Sequence, residues 1–154
     1  MDRIKEGIIK VGDVIITPET KPEELVELTL DKVVERHHPQ GYLELIFNQT
    51  IVSDEVEFEV SVRIARKDYR MVILVDPKLK TQIHGILDES RMKQEMCEEW
   101  LKRNIDVPPT RDTDDGIYYD FSWGHIYCTA ARTIHFGPIK GCIIITYGDD
   151  SIIH

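Results

Sequence analysis

The stretch from Glu55 to Ile64 constrains the fold most, because apolar and polar side chains alternate along it without interruption. One set of alternate residues is apolar: Val56, Phe58, Val60, Val62 and Ile64. The other set is polar or charged: Glu55, Glu57, Glu59, Ser61 and Arg63. A period of two places the two sets on opposite faces of a β-strand. The pattern predicts an antiparallel sheet with one buried face and one solvated face.

Strand signals continue on both sides of this stretch. Tyr42 to Val52 and Tyr69 to Val75 are apolar-rich segments that flank it, and the charged residues 66–68 predict a turn before the second of them. Ile8 to Thr17 predicts two short β arms around the turn-forming pair Gly12-Asp13. Neighbouring strands joined by short turns favour antiparallel pairing.

The closing stretch, Gly116 to Tyr147, predicts two further strands joined by a loop. Its first part repeats apolar residues at every second position, at Ile117, Tyr119, Phe121 and Trp123. Its last part, Ile143 to Tyr147, is almost wholly apolar and β-branched, which is typical of a central buried strand.

Two helices are predicted between the strands. Thr20 and Glu23 have the spacing of a capping box, and Pro22 suits a first turn, so we expect a helix that continues to about Arg36. A second helix is predicted from Asp88 or Ser90 to about Asn104. Its apolar face would comprise Met92, Met96, Cys97, Trp100 and Leu101.

The order of these elements predicts an α+β fold. We expect a mainly antiparallel sheet with the two helices packed on one face, in a single two-layer domain that spans residues 1–154. A chain of this length can bury a sizeable core without a disulfide or a metal.

Charge and composition limit the classes of partner. The net charge of −9 argues against direct binding to nucleic acid, which requires clustered lysine and arginine. It favours a basic protein partner, although an acidic pI also simply keeps a protein soluble.

No apolar run is long enough to span a membrane, and the N-terminus lacks the apolar core of a signal peptide. Cys97, Cys128 and Cys142 form no metal-binding spacing, so we expect a reducing, cytoplasmic setting.

No motif in the sequence indicates a reaction, a metal or a cofactor. His125 is the best candidate for acid–base chemistry, but its offset of three residues from Cys128 places the two on opposite faces of a strand. The Asp-rich loop before Gly116 lacks the spacing of an EF-hand. One interpretation that stays open is a small enzyme or ligand-binding domain with a pocket near His125, Tyr127 and His135.

A partner-binding face is the other interpretation. Glu55, Glu57 and Glu59 form a row of like charges about 7 Å apart, which a partner rich in lysine or arginine would relieve. Taken singly, each glutamate fits an ordinary solvated sheet face. Further candidate members of the face are Asp112, Asp114, Asp115, Trp123 and His135.

Three segments carry a resemblance to a known group of proteins. They are GDVIITPETKPEEL at 12–25, GIYYDFSWGHI at 116–126 and IIITY at 143–147, with Trp100 and Leu101 near a helix end. Together they resemble small bacterial immunity proteins encoded beside polymorphic or contact-dependent toxins. Thr129 to Gly141 departs from that group, in which a short Asp-x-Arg-like turn tends to join the last strands.

The resemblance implies a non-enzymatic protein that binds and neutralises one cognate toxin domain. With the acidic charge, it favours a basic partner, such as a nuclease whose phosphate-binding cleft acidic groups would occupy. An adaptor or structural subunit is a third possibility. The toxin's activity, the oligomeric state and the strand order stay open.

Overall fold

The structure, a computed structural model, describes residues 3–39, 41–66, 69–75, 86–113, 116–129 and 143–148. Over these ranges it contains a short 3₁₀ helix at Ile4–Glu6, two α-helices and ten strands. The helices are α1 (Pro22–Leu28) and α2 (Ile86–Asn104). The strands are β1 (Ile9–Val11), β2 (Val14–Ile16), β3 (Val33–His37), β4 (Leu43–Ser53), β5 (Val56–Arg66), β6 (Tyr69–Val75), β7 (Arg111–Thr113), β8 (Gly116–Phe121), β9 (Gly124–Thr129) and β10 (Ile143–Tyr147).

Eight strands form one antiparallel sheet in the order β3-β4-β5-β6-β10-β9-β8-β7. Strands β1 and β2 form a separate hairpin around Gly12-Asp13, as the sequence predicted. Gly12 has a φ of 59°, a left-handed conformation that glycine adopts at little cost. The α+β fold with a mainly antiparallel sheet is therefore confirmed.

The main core lies between one face of the sheet and both helices. Leu25 of α1 and Trp100 of α2 are fully buried there, together with Ile9 and Ile16 of the small hairpin. Phe58 of β5 meets the Trp100 indole edge-on, with 5.2 Å between the ring centroids. The prediction that the two helices pack on one face is confirmed. We call the face that carries the helices the first face of the sheet, and the opposite one the second face.

The apolar residues of β5 also lie on the first face, which confirms the predicted buried face of this strand. The prediction of a solvated second face is wrong in the middle of the sheet. Met71, Ile73, Ile144 and Tyr127 are buried there in a second apolar cluster. Strands β6 and β10 carry buried apolar side chains on both faces, whereas the alternation in β5 reports only on β5.

Arg63 is a particular exception on the second face, because it is buried rather than solvated. Its Nε donates a hydrogen bond to Oε2 of Glu44, 3.0 Å away on the neighbouring strand β4. The imidazole of His38 lies 3.1 Å from Oε1 of the same carboxylate and stacks on the ring of Tyr42. The Arg63 guanidinium lies above the same ring.

The first helix is much shorter than predicted. It ends at Leu28, and the residues expected to complete it include β3, which pairs with β4 from Val33–Phe47 to His37–Leu43. The predicted capping box is also wrong, since Thr20 hydrogen-bonds to Thr17 and the helix has no side-chain cap. The Thr29 hydroxyl donates to the carbonyl of Leu25, which helps to satisfy the C-terminal end.

The second helix ends at Asn104 as predicted, but it begins at Ile86, before both expected caps. Cys97, Trp100 and Leu101 are buried on its apolar face. Part of the loop predicted before Gly116 is a strand, because Arg111–Thr113 pairs with β8.

In its described residues, 116–129 and 143–147, the closing stretch contains three strands where two were expected. Strand β8 ends at Phe121, the pair Ser122-Trp123 makes a turn, and β9 returns from Gly124. A side chain at Gly124 would collide with the Thr146 carbonyl oxygen of β10, so the turn requires a glycine there. Strand β10 lies between β6 and β9 and is buried along its length, which confirms the predicted central strand.

Thr146→Val is expected to raise the free energy of unfolding by about 1 kcal/mol, as measured by urea denaturation. Thr146 is fully buried, and its Oγ1 has no hydrogen-bond partner among the residues that the structure describes. Valine has nearly the same shape and removes the cost of burying that hydroxyl. Thr29→Val is the matched control with the opposite sign, because it deletes a buried hydroxyl that is hydrogen-bonded. Destabilisation by both substitutions would contradict the expectation for Thr146.

Candidate functional site

The β4–β5 hairpin ends in a two-residue loop made of two acidic residues in an unfavourable conformation. Asp54 has a φ of 52° and Glu55 a φ of 66°. Tight hairpin loops of this kind favour Asn or Asp followed by Gly, so Asp54 suits its position, whereas Glu55 stands where glycine is preferred and carries the strain. Glu55 was expected to extend the strand and instead lies in this loop. Strained non-glycine residues cluster at functional sites, so the loop is a candidate for one.

The loop continues into an acidic surface on the second face of the sheet. Glu57 pairs across the strands with Val52, and Glu59 pairs with Thr50. Val52 is 69% exposed, which is unusual for a β-branched apolar residue in a strand. We call Val52, Asp54, Glu55, Glu57 and Glu59 the acidic hairpin end. It combines an exposed apolar side chain with four carboxylates.

Helix α2 holds the acidic hairpin end in place from the first face. The indole Nε1 of Trp100 donates to the carbonyl of Ser53, 3.2 Å away. Arg103 forms an ion pair of 2.7 Å with Asp54. Neither Glu55 nor Glu57 has an ion-pair partner in the part of the chain that the structure describes. The position of the loop is therefore fixed, while the exposed carboxylate of Glu55 in the loop and the half-buried carboxylate of Glu57 in β5 are available to a partner.

Asp112 lies near the same end of α2, although its strand is at the far edge of the sheet. Lys102, the neighbour of Arg103, is 3.6 Å from the Asp112 carboxylate. Burial raises the pKa of the Tyr119 phenol, and the negative charge of Asp112 adds to that rise. Asp112 and Asp54 therefore form ion pairs with consecutive residues of α2, Lys102 and Arg103. Asp114 and Asp115 lie outside the described residues.

Trp123 has a packing role at the β8–β9 turn. Its ring is half-buried and stacks on Phe121, with 5.4 Å between centroids. Its Nε1 donates to the carbonyl of Lys5, and a Cβ at Gly7 would touch the indole. Trp123 therefore contributes to packing, and its membership of the partner-binding face stays a prediction.

His125 has a carboxylate partner that the sequence pattern did not indicate. Its Nδ1 lies 2.6 Å from Oδ1 of Asp120, directly across the β8–β9 hairpin. Ile126 and Cys128 lie in the core on the first face, so His125 and Cys128 occupy opposite faces, as expected from their spacing. Tyr127 stacks on Tyr118 beside His125, and His135 lies outside the described residues. Among the described residues, no group of three or more His, Cys, Asp or Glu side chains could hold a metal ion.

The sequence interpretation missed three residues, Val52, Asp54 and Asp120, because their roles depend on how the strands pair. Asp54 and Val52 gain their roles from the position of the loop, and Asp120 gains its role from the β8–β9 register. The sequence offered one signal for the loop. Asp54 and Glu55 are adjacent acidic residues between two apolar-rich strand segments, and Asp is common in turns.

Comparisons with family models, with curated proteins and with solved structures gave no match to this chain. In the part of the chain that was searched, no helix combines the length and the apolar character needed to cross a membrane.

Proposed function

We propose that this protein is a non-enzymatic immunity protein that binds and neutralises a basic toxin domain of a bacterial competitor system. The observation that carries the proposal is the acidic hairpin end. It offers Glu55, from a loop that Trp100 and Arg103 hold in position, and Glu57, from the adjoining start of β5, to a partner. The sequence resemblance to small immunity proteins points to the same class of function.

The chemistry of this surface fits a basic protein. Closely spaced carboxylates repel each other, and a lysine- or arginine-lined cleft relieves that repulsion on binding. A cleft that binds the phosphates of nucleic acid would accept such a row, so a nuclease domain is the favoured partner. Val52 supplies the apolar contact that a purely charged surface lacks, and apolar contact in the centre of an interface is where affinity concentrates.

A second candidate function is supported by the short contact between His125 and Asp120. A carboxylate that orients an imidazole is a common arrangement in acid–base catalysis. This observation supports a small enzyme or ligand-binding domain with its site on the second face, near His125 and Tyr127. The pair equally stabilises the β8–β9 hairpin, so it ranks below the acidic hairpin end.

The test of the proposed function is copurification with the product of the adjacent upstream gene. We expect a stable complex in which the toxin activity of that product is blocked. Loss of its toxicity on co-expression with this chain would support neutralisation. A partner from a metabolic operon, or full toxicity in the presence of excess protein, would overturn the proposal.

Replacing Glu55, Glu57 and Glu59 together with glutamine should raise the Kd for that partner by about ten- to a hundredfold. The loss should include a slower association rate that depends less on salt, because long-range attraction is removed. Surface plasmon resonance at two ionic strengths measures both. The matched control replaces three exposed carboxylates elsewhere, as Asp13→Asn, Glu19→Gln and Glu95→Gln. Equal effects of the two triple variants would show that only net charge matters.

A further inference from the structure

Strand β3 forms one edge of the eight-stranded sheet and is exposed along most of its length. It pairs with β4 on one side, and within the described residues no strand pairs with its other side. Every β3 residue after Val33 is exposed. An edge strand presents a row of backbone N–H and C=O groups that can accept a further strand.

Three large apolar side chains protrude around this edge. Leu28 is 52% exposed, Leu30 is 66% exposed and Val34 is 52% exposed. The segment that carries them is anchored, since Leu25 and Thr29 are fully buried and the Asn48 amide donates to the carbonyl of Lys32. These three residues account for half of the large apolar side chains that are exposed in the described structure. All three lie within residues 28–34, in the segment that leads into and begins β3, and exposed apolar surface is a common feature of sites that partners cover.

Carboxylates surround the protruding residues. Glu24, Glu27, Asp31 and Glu35 are all exposed, and Lys32 and Arg36 are the basic residues among them. We call Leu28, Leu30, Val34 and Glu35, together with these neighbours, the β3 edge surface. Val34 pairs with Ile46 and lies on the second face, whereas Glu35 pairs with Leu45 and lies on the first face. Along the open edge of β3, the apolar side chain and the carboxylate therefore lie on opposite faces.

We propose that the β3 edge surface binds an extended strand of a basic protein, which joins the sheet beside β3 as a ninth strand. Backbone hydrogen bonds to β3 would supply the alignment, and Val34 would contact an apolar side chain of the incoming strand on the second face. A lysine or arginine side chain of that strand would lie against Glu35 on the first face, so the incoming strand would alternate basic and apolar residues. The proposal deepens the proposed function by naming how its basic partner binds, and it rests on that function for the partner's identity.

A second copy of this chain fits the edge poorly. A twofold-symmetric antiparallel pairing centred on Glu35 or on Arg36 places that residue opposite its own copy. A pairing centred on Val34 places Lys32 opposite Arg36. Each arrangement sets like charges directly against each other, which is destabilising. The charged residues of β3 thus disfavour self-association and leave a basic strand as the complementary occupant.

The first experiment uses a fluorescein-labelled peptide of seven residues in which lysine and valine alternate, with a glutamate–valine peptide as the charge-reversed probe. Fluorescence anisotropy should give a Kd at least about tenfold lower for the lysine peptide. Amide hydrogen exchange should slow at residues 33–37 when that peptide binds. Binding of both peptides with equal affinity, or no added protection at residues 33–37, would overturn the proposal.

Two variants test the chemistry of the edge with intact folding confirmed by circular dichroism. Glu35→Lys should weaken binding of the lysine peptide by about tenfold, and Leu30→Ser should weaken it severalfold without a change of charge. Glu95→Lys is the matched control, because it makes the same charge change on α2, which packs on β8 and β9. Equal weakening by Glu35→Lys and Glu95→Lys would show a non-specific charge effect and overturn the edge proposal.

The two proposals fail in different ways. If the upstream gene product is neutralised while hydrogen exchange at residues 33–37 stays unchanged in the complex, the edge inference is wrong and the proposed function stands. If the lysine peptide protects β3 but the upstream gene product does not bind, the edge inference stands and the immunity function is wrong.

Discussion

Arg63→Met should lower the free energy of unfolding by about 3 to 5 kcal/mol, measured by urea denaturation with the midpoint and slope fitted separately. Glu44 is only 7% exposed and Arg63 only 8% exposed. Methionine fills much of the arginine volume but leaves the Glu44 carboxylate buried without its cationic partner. A buried charge that loses its partner carries an uncompensated desolvation cost, which is why the expected loss is large.

The double variant Glu44→Leu with Arg63→Met is the decisive control. It removes both charges, so its stability should return to within about 1 to 2 kcal/mol of the parent protein. The His38 imidazole and the Tyr42 ring, which contact the pair, would then pack against apolar side chains. A loss below about 1 kcal/mol in Arg63→Met alone would mean that water or the His38 imidazole compensates the carboxylate in the folded state.

Local periodicity predicted most of the sheet strands, although not β3 or β7, and it did not predict what surrounds them. The apolar face of β5 follows from a period of two, which is a property of the strand itself. The burial of Arg63 follows from its pairing with Glu44, which lies on another strand, so no local pattern could predict it. The same limit explains why the second face was expected to be solvated, although Met71 and Ile144 are buried there.

The error at α1 has a related cause. The apolar stripe after Pro22 fits a long helix, and isolated propensity gives no reason to stop it at Leu28. The β-branched pair Val33-Val34 gains more by pairing with β4, and tertiary pairing overrides weak helix propensity. The exposure of Leu30 is a consequence, because the predicted stripe of Leu25, Val26, Thr29, Leu30 and Val33 would have buried it and the helix ends before it.

The candidate site was predicted in part. Glu57 and Glu59 were expected on the second face and lie there. The strained position of Glu55 depends on where the loop closes, and the exposure of Val52 depends on what covers the second face, so neither could be deduced from alternation. The pairing of His125 with Asp120 required the position of the Ser122-Trp123 turn, which the continuous strand signal through Trp123 obscured.

Trp100→Ala is expected to have a comparably large effect, with a loss of about 3 to 5 kcal/mol in the free energy of unfolding. Trp100 is fully buried, packs against Phe58 and donates its indole N–H to Ser53. Alanine would leave a cavity between α2 and β5 and would remove the hydrogen bond to the Ser53 carbonyl beside the acidic loop. Thermal and urea unfolding measure the loss. Trp100→Phe, which keeps a ring against Phe58 but loses the hydrogen bond, should cost less.

Partner binding separates the anchoring role of Trp100 from its contribution to global stability. Under conditions in which each variant is fully folded, Trp100→Phe should weaken binding of the upstream gene product, because the acidic hairpin end loses a contact that fixes it. Ile16→Ala is the matched control, since Ile16 is fully buried in the same core but belongs to the β1–β2 hairpin. It should lower stability by about 2 to 5 kcal/mol and leave the affinity of the folded protein unchanged. If both variants lose affinity equally, the position of the acidic hairpin end depends on the whole core and not on Trp100.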